Sequence, residues 1–262
     1  MNPEIGNVMT DTLIQTAADL IANAQYITIL TGAGVSKESG VPTFRDALEG
    51  LWAKYDPQEL ATPQAFKANP KLVWDWYEWR RKLAQDVAPN KGHLALAELQ
   101  TMKNDVYLIT QNVDDLHEQA GSKNVIHLHG NIASHKCFAN CQGEPTLIDI
   151  NMLDYDTDDV PPACPHCGAY VRPNVVWFGE ALPNDELTKA FEHSQLCDLV
   201  IVVGTSGMVT PASQLPGIAK QSGAKIIEVN PDDSMITPLA DLKLSWASGV
   251  ILPQVIEALH AR

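Results

Sequence analysis

Apolar residues along this chain follow two periodicities, and the switches between them mark out its elements. Residues 10–24 place Leu13, Ile14, Ala17, Leu20 and Ile21 three or four positions apart, with Thr10 and Asp11 available as caps, which predicts an amphipathic helix. Directly after it, Tyr26-Ile27-Thr28-Ile29-Leu30 is a short β-rich run that ends in Gly32-Ala33-Gly34, so a buried strand enters a glycine turn. Strand-like runs recur at residues 106–109, 125–128, 175–178, 199–203 and 226–229. Helical spacing lies between several of them, at residues 92–102, 113–120, 185–195 and 211–222. Strands alternating with helices predict an α/β fold, a parallel sheet with helices on both faces.

Two stretches break this rhythm. Residues 52–87 hold no strand-like run and are rich in Trp, Tyr and Arg, which predicts a helical insert. Residues 136–171 carry four paired cysteines, many acidic residues and Pro161-Pro162, which predicts a small zinc-binding module. The sheet domain is then assembled from residues 1–51, 88–135 and 172–262. No internal repeat or low-complexity tract interrupts it.

The cysteines fall as Cys137/Cys141, spaced Cys-x3-Cys, and Cys164/Cys167, spaced Cys-x2-Cys and followed by Gly168. A close pair lets two thiolates reach one ion, and two pairs complete a tetrahedron with no position open to water or substrate. That makes the expected zinc structural. His135 and His166 lie beside the ligands, but a thiolate is available for every corner. Cys197 stands alone before a strand and reads as a small buried hydrophobe.

Composition narrows the function classes. The 262 residues are 45% apolar and 19% charged, with 18 Lys+Arg against 32 Asp+Glu, a net charge of −14. This is the balance of a soluble globular protein. The acidic excess argues against a sequence-independent grip on nucleic acid, which rests on Lys and Arg at phosphates, and against an anionic membrane surface. No apolar run approaches the ~20 residues of a membrane span. The N-terminus shows no signal-peptide pattern, so paired thiols point to metal and the cytoplasm is the expected location. The short extensions at either end leave little room for a partner-binding tail, and a monomer is the expected state.

The glycine turn can present backbone N–H groups to a pyrophosphate. It departs from the dinucleotide fingerprint, because Lys37 stands where the third glycine belongs and no acid-ended second strand follows about twenty residues on. A standard dehydrogenase half is therefore disfavoured, and a plain tight turn remains open. Two later strand ends add to the case: Gly204-Thr205-Ser206 after Val203, and Asn230-Pro231 after Val229. Small polar residues at the carboxyl ends of parallel strands occupy the place where such sheets bind ligands.

These motifs together resemble the sirtuins, NAD-dependent protein-lysine deacylases. The resemblance rests on Gly32-Ala33-Gly34-Val35-Ser36, Glu38-Ser39-Gly40-Val41-Pro42, Phe44-Arg45, Gln111-Asn112-Val113-Asp114 and His127-Leu128-His129-Gly130. It continues, in the family's order, through Asn174-Val175-Val176-Trp177-Phe178-Gly179-Glu180, Gly204-Thr205-Ser206 and Glu228-Val229-Asn230. It implies a Rossmann-like NAD domain with the zinc module beside it and acyl-lysine protein entering between them. His129 then resembles the catalytic general base, with Asn112 and Asp114 positioning the ribose and the nicotinamide carboxamide. In the family's reaction the acyl oxygen attacks the nicotinamide ribose carbon, nicotinamide leaves, and the histidine activates a ribose hydroxyl; the products are lysine and O-acyl-ADP-ribose. NAD contacts are implied for Gly32, Ala33, Gly34, Ser36, Phe44, Arg45, Gln111, Val113, Gly204, Thr205, Ser206, Asn230, Pro231 and Ala247. Val176, Phe178, Gly179 and Glu180 resemble the edge along which substrate backbone pairs as an added strand. His127 alternates with His129 on a strand-like stretch, so the two should face opposite ways and His127 should be structural. His93, His117, His193 and His260 are expected to be exposed and without a role.

Within the family, Thr43 stands where Asp is common and Lys37 where Ala is common. More telling is Tyr77-Glu78-Trp79-Arg80, which places Tyr77 and Arg80 on one helix face. With Leu60-Ala61-Thr62-Pro63 it resembles class III sirtuins, which remove succinyl, malonyl and glutaryl groups. Arg80 would hold the acyl carboxylate, Tyr77 would add a hydroxyl donor and Ala61 would leave room for the chain. Arg81, one position on, departs from the motif spacing. Rival readings are a sirtuin that chiefly deacetylates or transfers ADP-ribose, and a silent NAD-binding sensor.

Overall fold

The computed structural model describes residues 3–43, 55–155 and 161–262, with the backbone alone for residues 3–7, 57 and 58. In chain order the elements are α1 (Pro3–Asn23), β1 (Tyr26–Thr31), α2 (Gly34–Lys37), α3 (Pro57–Leu60), α4 (Pro63–Ala68), α5 (Pro70–Gln85), α6 (Lys91–Met102) and β2 (Asp105–Thr110). There follow α7 (Leu116–Gln119), β3 (Ile126–His127), β4 (Gly130–Cys137), β5 (Leu147–Ile148), β6 (Val171–Val175) and α8 (Asn184–Leu196). The chain closes with β7 (Leu199–Val203), α9 (Leu215–Gln221), β8 (Lys225–Val229), β9 (Leu242–Leu244) and α10 (Ser248–His260).

Six strands form a parallel sheet in the order β3-β2-β1-β7-β8-β9. β1 and β7 are buried on both faces, as central parallel strands must be when helices cover each side. One face carries Ile27, Ile29, Leu108, Ile201 and Ile227 against Ile14 and Ile21 of α1, Leu96 and Leu99 of α6, and Ile251 and Val255 of α10. Toward the other face Leu30, Ile109 and Leu128 meet Ala190 of α8 and Leu215 of α9. The chain leaves β1 toward β2 and β3, then returns to β7 on the opposite side. The strand order therefore reverses between β1 and β7, the place where open α/β sheets bind ligands.

A smaller antiparallel sheet, β5-β4-β6, carries the cysteine module. It draws on residues 130–135 and 172–175 in addition to the 136–171 stretch. The helical insert is realised as α3, α4 and α5. Thr62 Oγ1 accepts the Ala65 N–H at 3.0 Å with Pro63 behind it, and Asn69 Oδ1 accepts Leu72 N–H at 3.1 Å ahead of α5. The insert buries Ala61, Phe66, Trp76 and Tyr77 against Ile132 of β4, Val175 of β6 and Trp177.

Several elements differ from the periodicity. The strand expected at 175–178 lies instead at Val171–Val175, in the small sheet. The helix expected over 113–120 shortens to Leu116–Gln119, because residues 111–114 are held at the sheet end by side-chain bonds described below. The stretch 211–222 opens with a 3-10 turn, Ala212–Gln214, before α9. α10 was masked in the pattern by Gly249 and by Pro253 inside the helix. Burial of Ile251, Leu252, Val255, Ile256 and Leu259 outweighs the lost proline hydrogen bond.

Candidate active site

The carboxyl ends of four adjacent strands converge. Beyond β1 lies the Gly32–Gly34 turn, beyond β2 Gln111–Asp114, beyond β7 Gly204–Ser206, and beyond β8 Asn230. The two glycine turns cross in direct contact. Gly32 N–H donates to Val203 O at 3.0 Å and Gly34 N–H to Gly204 O at 2.8 Å. A Cβ on Gly34 would lie 2.7 Å from Gly204 O, and one on Gly32 2.7 Å from the Thr205 Cβ. Gly204, at φ +60°, would place a Cβ 2.5 Å from Val35 N. The glycines are thus required for close packing of two turns, and their own N–H groups are already engaged. Ala33 stands half-buried at the crest between them.

Around this turn a buried polar network fixes the strand ends. Gln111 Nε2 donates to Thr205 Oγ1 at 3.0 Å, and Asn230 Nδ2 to Thr205 O at 3.0 Å. Asn112 and Asp114 are 6% and 5% exposed. Asn112 Nδ2 donates to Ser36 Oγ at 3.0 Å, and Asp114 Oδ1 accepts Leu116 N–H at 3.2 Å and is also bonded by Ser36. Burial raises the Asp114 pKa against those hydrogen bonds. The Ser36 hydroxyl, expected at the cofactor, is 1% exposed and faces inward, so it holds Asn112 and Asp114 in place. His93 and His117, expected to be exposed, are buried beneath it at 0% and 1% exposure. His93 approaches Ser36 Oγ and His117 lies 3.0 Å from Thr31 Oγ1; burial pushes their pKa values down to about 4 and about 3, so both are neutral.

The two histidines of the His127-Leu128-His129 stretch have opposite electrostatics. β3 ends at His127, and Leu128 and His129 form a turn, so strand alternation is not what separates them. His129 Nδ1 donates to Gln111 O at 2.9 Å, since a carbonyl can only accept. Nε2 is then the unprotonated nitrogen. Burial lowers the His129 pKa below the ordinary value, with the Gln111 carbonyl opposing it. His127 is placed between two acceptors, Asn112 O at 3.3 Å and Glu118 Oε1 at 2.6 Å. Burial alone would lower its pKa, but Glu118 raises it above the ordinary value and so favours the protonated ring. One imidazole is a poised base and the other half of an ion pair, a division of the kind that assigns acid–base roles.

On the other side of His129, Val176 N–H donates to His129 O at 2.8 Å and Phe178 N–H to Ala61 O at 2.9 Å. Residues 177–180 form a turn closed by Glu180 N–H to Trp177 O at 3.0 Å, with Gly179 at φ +85°. The Val176–Glu180 stretch thus turns instead of running on as a strand. Its N–H donors at Val176, Trp177 and Phe178 are engaged, and the turn presents outward the Phe178 ring, 47% exposed, and Gly179. The Glu180 side chain points inward: its carboxylate accepts Arg172 Nη1 at 2.5 Å, Arg172 Nη2 at 3.0 Å and Trp177 N–H at 2.9 Å. Arg172, 1% exposed, was missed; its one signal is a lone charge in an otherwise apolar run.

α5 resolves the neighbouring arginines. Tyr77 is 2% exposed, and the Arg80 guanidinium lies over the Trp76 and Tyr77 rings at 5.0 and 5.7 Å. Burial lowers the Arg80 pKa, with Tyr77 and Asp114 opposing. Arg81 points the other way, donating from Nε to Ile132 O at 2.7 Å and pairing with Glu78. Ala61 is 3% exposed in the same cluster as Tyr77. Val113 packs against that cluster and its carbonyl accepts Ile132 N–H at 2.7 Å. Ala247 precedes α10, whose start is tied to the glycine loop by Glu38, with Ser248 Oγ at 3.0 Å and Gly249 N–H at 2.8 Å. Thr205 is buried, Ser206 half-buried, and Pro231 exposed beyond Asn230. Phe44 and Arg45 lie outside the described residues.

In the module, the Sγ atoms of Cys137, Cys141, Cys164 and Cys167 all lie within 4.8 Å of one another. Cys137–Cys167 and Cys141–Cys164 are 3.5 and 3.8 Å apart. A tetrahedron with Zn–S bonds of about 2.3 Å has edges of about 3.8 Å, so the four thiols fit that ion. Cys197 is 4% exposed, a small core residue. Removing one ligand should cost folding as well as metal. Cys164→Ser is expected to lose bound zinc and to melt at least about 5 °C lower, given roughly 2–4 °C per kcal/mol for a domain of this size. Metal analysis and a thermal melt check this; full zinc with unchanged melting would contradict a structural site.

Comparison with known proteins agrees with this geometry. A model described as the Sir2 family matches residues 32–211. An NAD-dependent protein deacylase of Pyrococcus furiosus is 48% identical over 248 residues, covering 95% of this chain and 98% of that protein. NAD-dependent protein deacylase 1 of Pseudomonas aeruginosa is 48% identical over 245 residues, covering 93% and 98%. The crystal structure of a Sir2 homolog–NAD complex superposes with a TM-score of 0.85 at 45% identity, covering 94% of this chain and 93% of that one. Among the described residues, no helix is long and apolar enough to cross a membrane.

Proposed function

The chain belongs to the Sir2 family, and we propose that it removes acidic acyl groups from protein lysine, succinyl and malonyl above all, with glutaryl in the same class. It is an NAD-dependent protein deacylase, with NAD as co-substrate and one structural zinc on Cys137, Cys141, Cys164 and Cys167. The crossed glycine turns lie where the strand order reverses, with Ala33 at their crest and Thr205 and Asn230 beside them, the place where such a sheet takes a dinucleotide. The cytosol is the compartment proposed, since a four-thiolate site needs reduced cysteines.

When bound, NAD supplies an electrophilic ribose carbon from which nicotinamide departs. His129, neutral with its lone pair on Nε2, takes the proton from a ribose hydroxyl. The Gln111 carbonyl fixes the tautomer that makes this possible. Asn112 and Asp114, held by Ser36, orient the ribose and the carboxamide. Their positions are set before substrate arrives, so little reorganisation remains for the reacting complex.

The observation that carries the acyl-group reading is the Arg80 guanidinium over the Tyr77 ring, with small Ala61 in the same cluster as Tyr77. A guanidinium binds a carboxylate through two parallel N–H bonds, which an acetyl group cannot use. Nicotinamide release measured with matched acetyl-, succinyl-, malonyl- and glutaryl-lysine peptides, with and without NAD, tests this reading. One nicotinamide per freed lysine, fastest with the acidic groups, is expected. Turnover confined to acetyl-lysine would overturn the acyl assignment.

A further inference from the structure

Tyr77 carries a second contact that the pocket reading leaves unused. Trp177 Nε1 donates to the Tyr77 hydroxyl oxygen at 2.9 Å, between side chains that are 1% and 2% exposed. A phenol has one proton, so an oxygen that already accepts the indole N–H keeps its own O–H for donation elsewhere. A hydroxyl that accepts one hydrogen bond is polarised into a better donor of the next.

Trp177 is itself held by charge. The Arg172 guanidinium lies over its ring, 3.2 Å from the centroid. That guanidinium is fixed by both Glu180 oxygens and by Val175 O at 2.6 Å, and Glu180 also accepts the Trp177 backbone N–H. Rotating the indole away from Tyr77 would give up its stacking on this fixed guanidinium. Phe66 packs on the same ring at 5.3 Å from the insert side.

We infer that Trp177 is a positioning residue for acyl-group choice: its N–H, polarised by Arg172, aims the Tyr77 O–H at the carboxylate of an acidic acyl-lysine. The Arg172–Trp177–Tyr77 chain links the small sheet's β6 to α5 of the insert. Burial also pushes the Tyr77 pKa up to about 12, so the hydroxyl keeps the proton it must donate at any working pH. An acetyl group offers no carboxylate to this donor, so the chain acts on acidic acyl groups alone. This inference rests on the acidic-acyl reading above.

Trp177→Phe keeps an aromatic ring and removes the N–H. For succinyl-lysine peptide, KM is expected to rise about three- to tenfold with little change in kcat, the size of one neutral hydrogen bond. Acetyl-lysine turnover should stay within about twofold and serves as the check on folding. In a Tyr77→Phe background, adding Trp177→Phe should change succinyl turnover less than about twofold, because the group it acts through is gone. On wild-type protein labelled with 15N, the indole N–H resonance displaced by Tyr77→Phe should shift with succinyl-lysine peptide and not with acetyl-lysine peptide. That measurement decides the matter even where Trp177→Phe fails to fold. Equal loss on both peptides, multiplying effects in the double variant, or an indole resonance indifferent to the acyl group would each overturn the inference while leaving the acidic-acyl reading intact. A wild-type enzyme that shows no acidic preference would overturn both.

Discussion

Replacing His129 with alanine should lower deacylation by about 10²- to 10⁴-fold, the range lost with a positioned general base, while NAD binding and folding persist. The side chain sits in a turn after β3 and, among the described residues, bonds the Gln111 carbonyl alone, so its removal leaves the sheet and the glycine turns intact. Because burial lowers the His129 pKa, the base is already unprotonated at neutral pH. Wild-type kcat/KM should therefore rise with pH through a limb centred below the ordinary histidine value of about 6.5 and then level off. Residual activity of His129→Ala should lack that limb. A correctly folded variant with near-wild-type turnover would move the base elsewhere, and His127, paired with Glu118, would be a poor candidate to take over.

Arg80→Met is the second large effect. Succinyl- and malonyl-lysine removal should fall roughly ten- to a hundredfold, the equivalent of about 1.5–3 kcal/mol for hydrogen bonds to a charged group. Deacetylation should be unchanged or improved. The asymmetry is physical: a carboxylate entering a partly desolvated pocket needs a charged partner, whereas an acetyl group gains nothing from a guanidinium. Met keeps most of the stem that packs on Trp76 and Tyr77, so loss of charge is separated from loss of packing. Tyr77→Phe should act in the same direction and more weakly. Kinetics on matched succinyl and acetyl peptides separate the outcomes, and an equal fall in both would make Arg80 a structural residue.

What could be read from the chain alone depended on whether a residue's partners were local. The strand–glycine turn at Gly32–Gly34 and the paired cysteines are short-range patterns, and the structure places both as expected. Glycine's reason was legible only in part. The pattern suggests N–H groups facing a phosphate, whereas Gly32 and Gly34 use theirs on the facing turn at Val203 and Gly204, a partner about 170 positions away in sequence. Glu180 shows the same limit. Its carboxylate is drawn inward by Arg172, and no periodicity announces an ion pair between a strand and a turn. His93 and His117 read as surface residues because polar side chains usually are, but beneath the site His93 meets Ser36 and the Asn90 N–H, and His117 meets Thr31 through Nε2 while its Nδ1 is left without a partner. α10 was hidden by Pro253 for a related reason: burial against α1 and α6 decides that helix, and local propensity does not.

The central claim is that this site selects a negatively charged acyl group. One tube containing equal concentrations of succinyl-lysine and acetyl-lysine peptides of the same sequence, with wild-type enzyme and NAD, tests it most directly, because the ratio of the two rates then equals the ratio of kcat/KM values. Mass spectrometry of both products over time should show succinyl-lysine consumed at least about tenfold faster, as a charged hydrogen-bonding partner implies. Equal consumption, or acetyl-lysine consumed first, would contradict it.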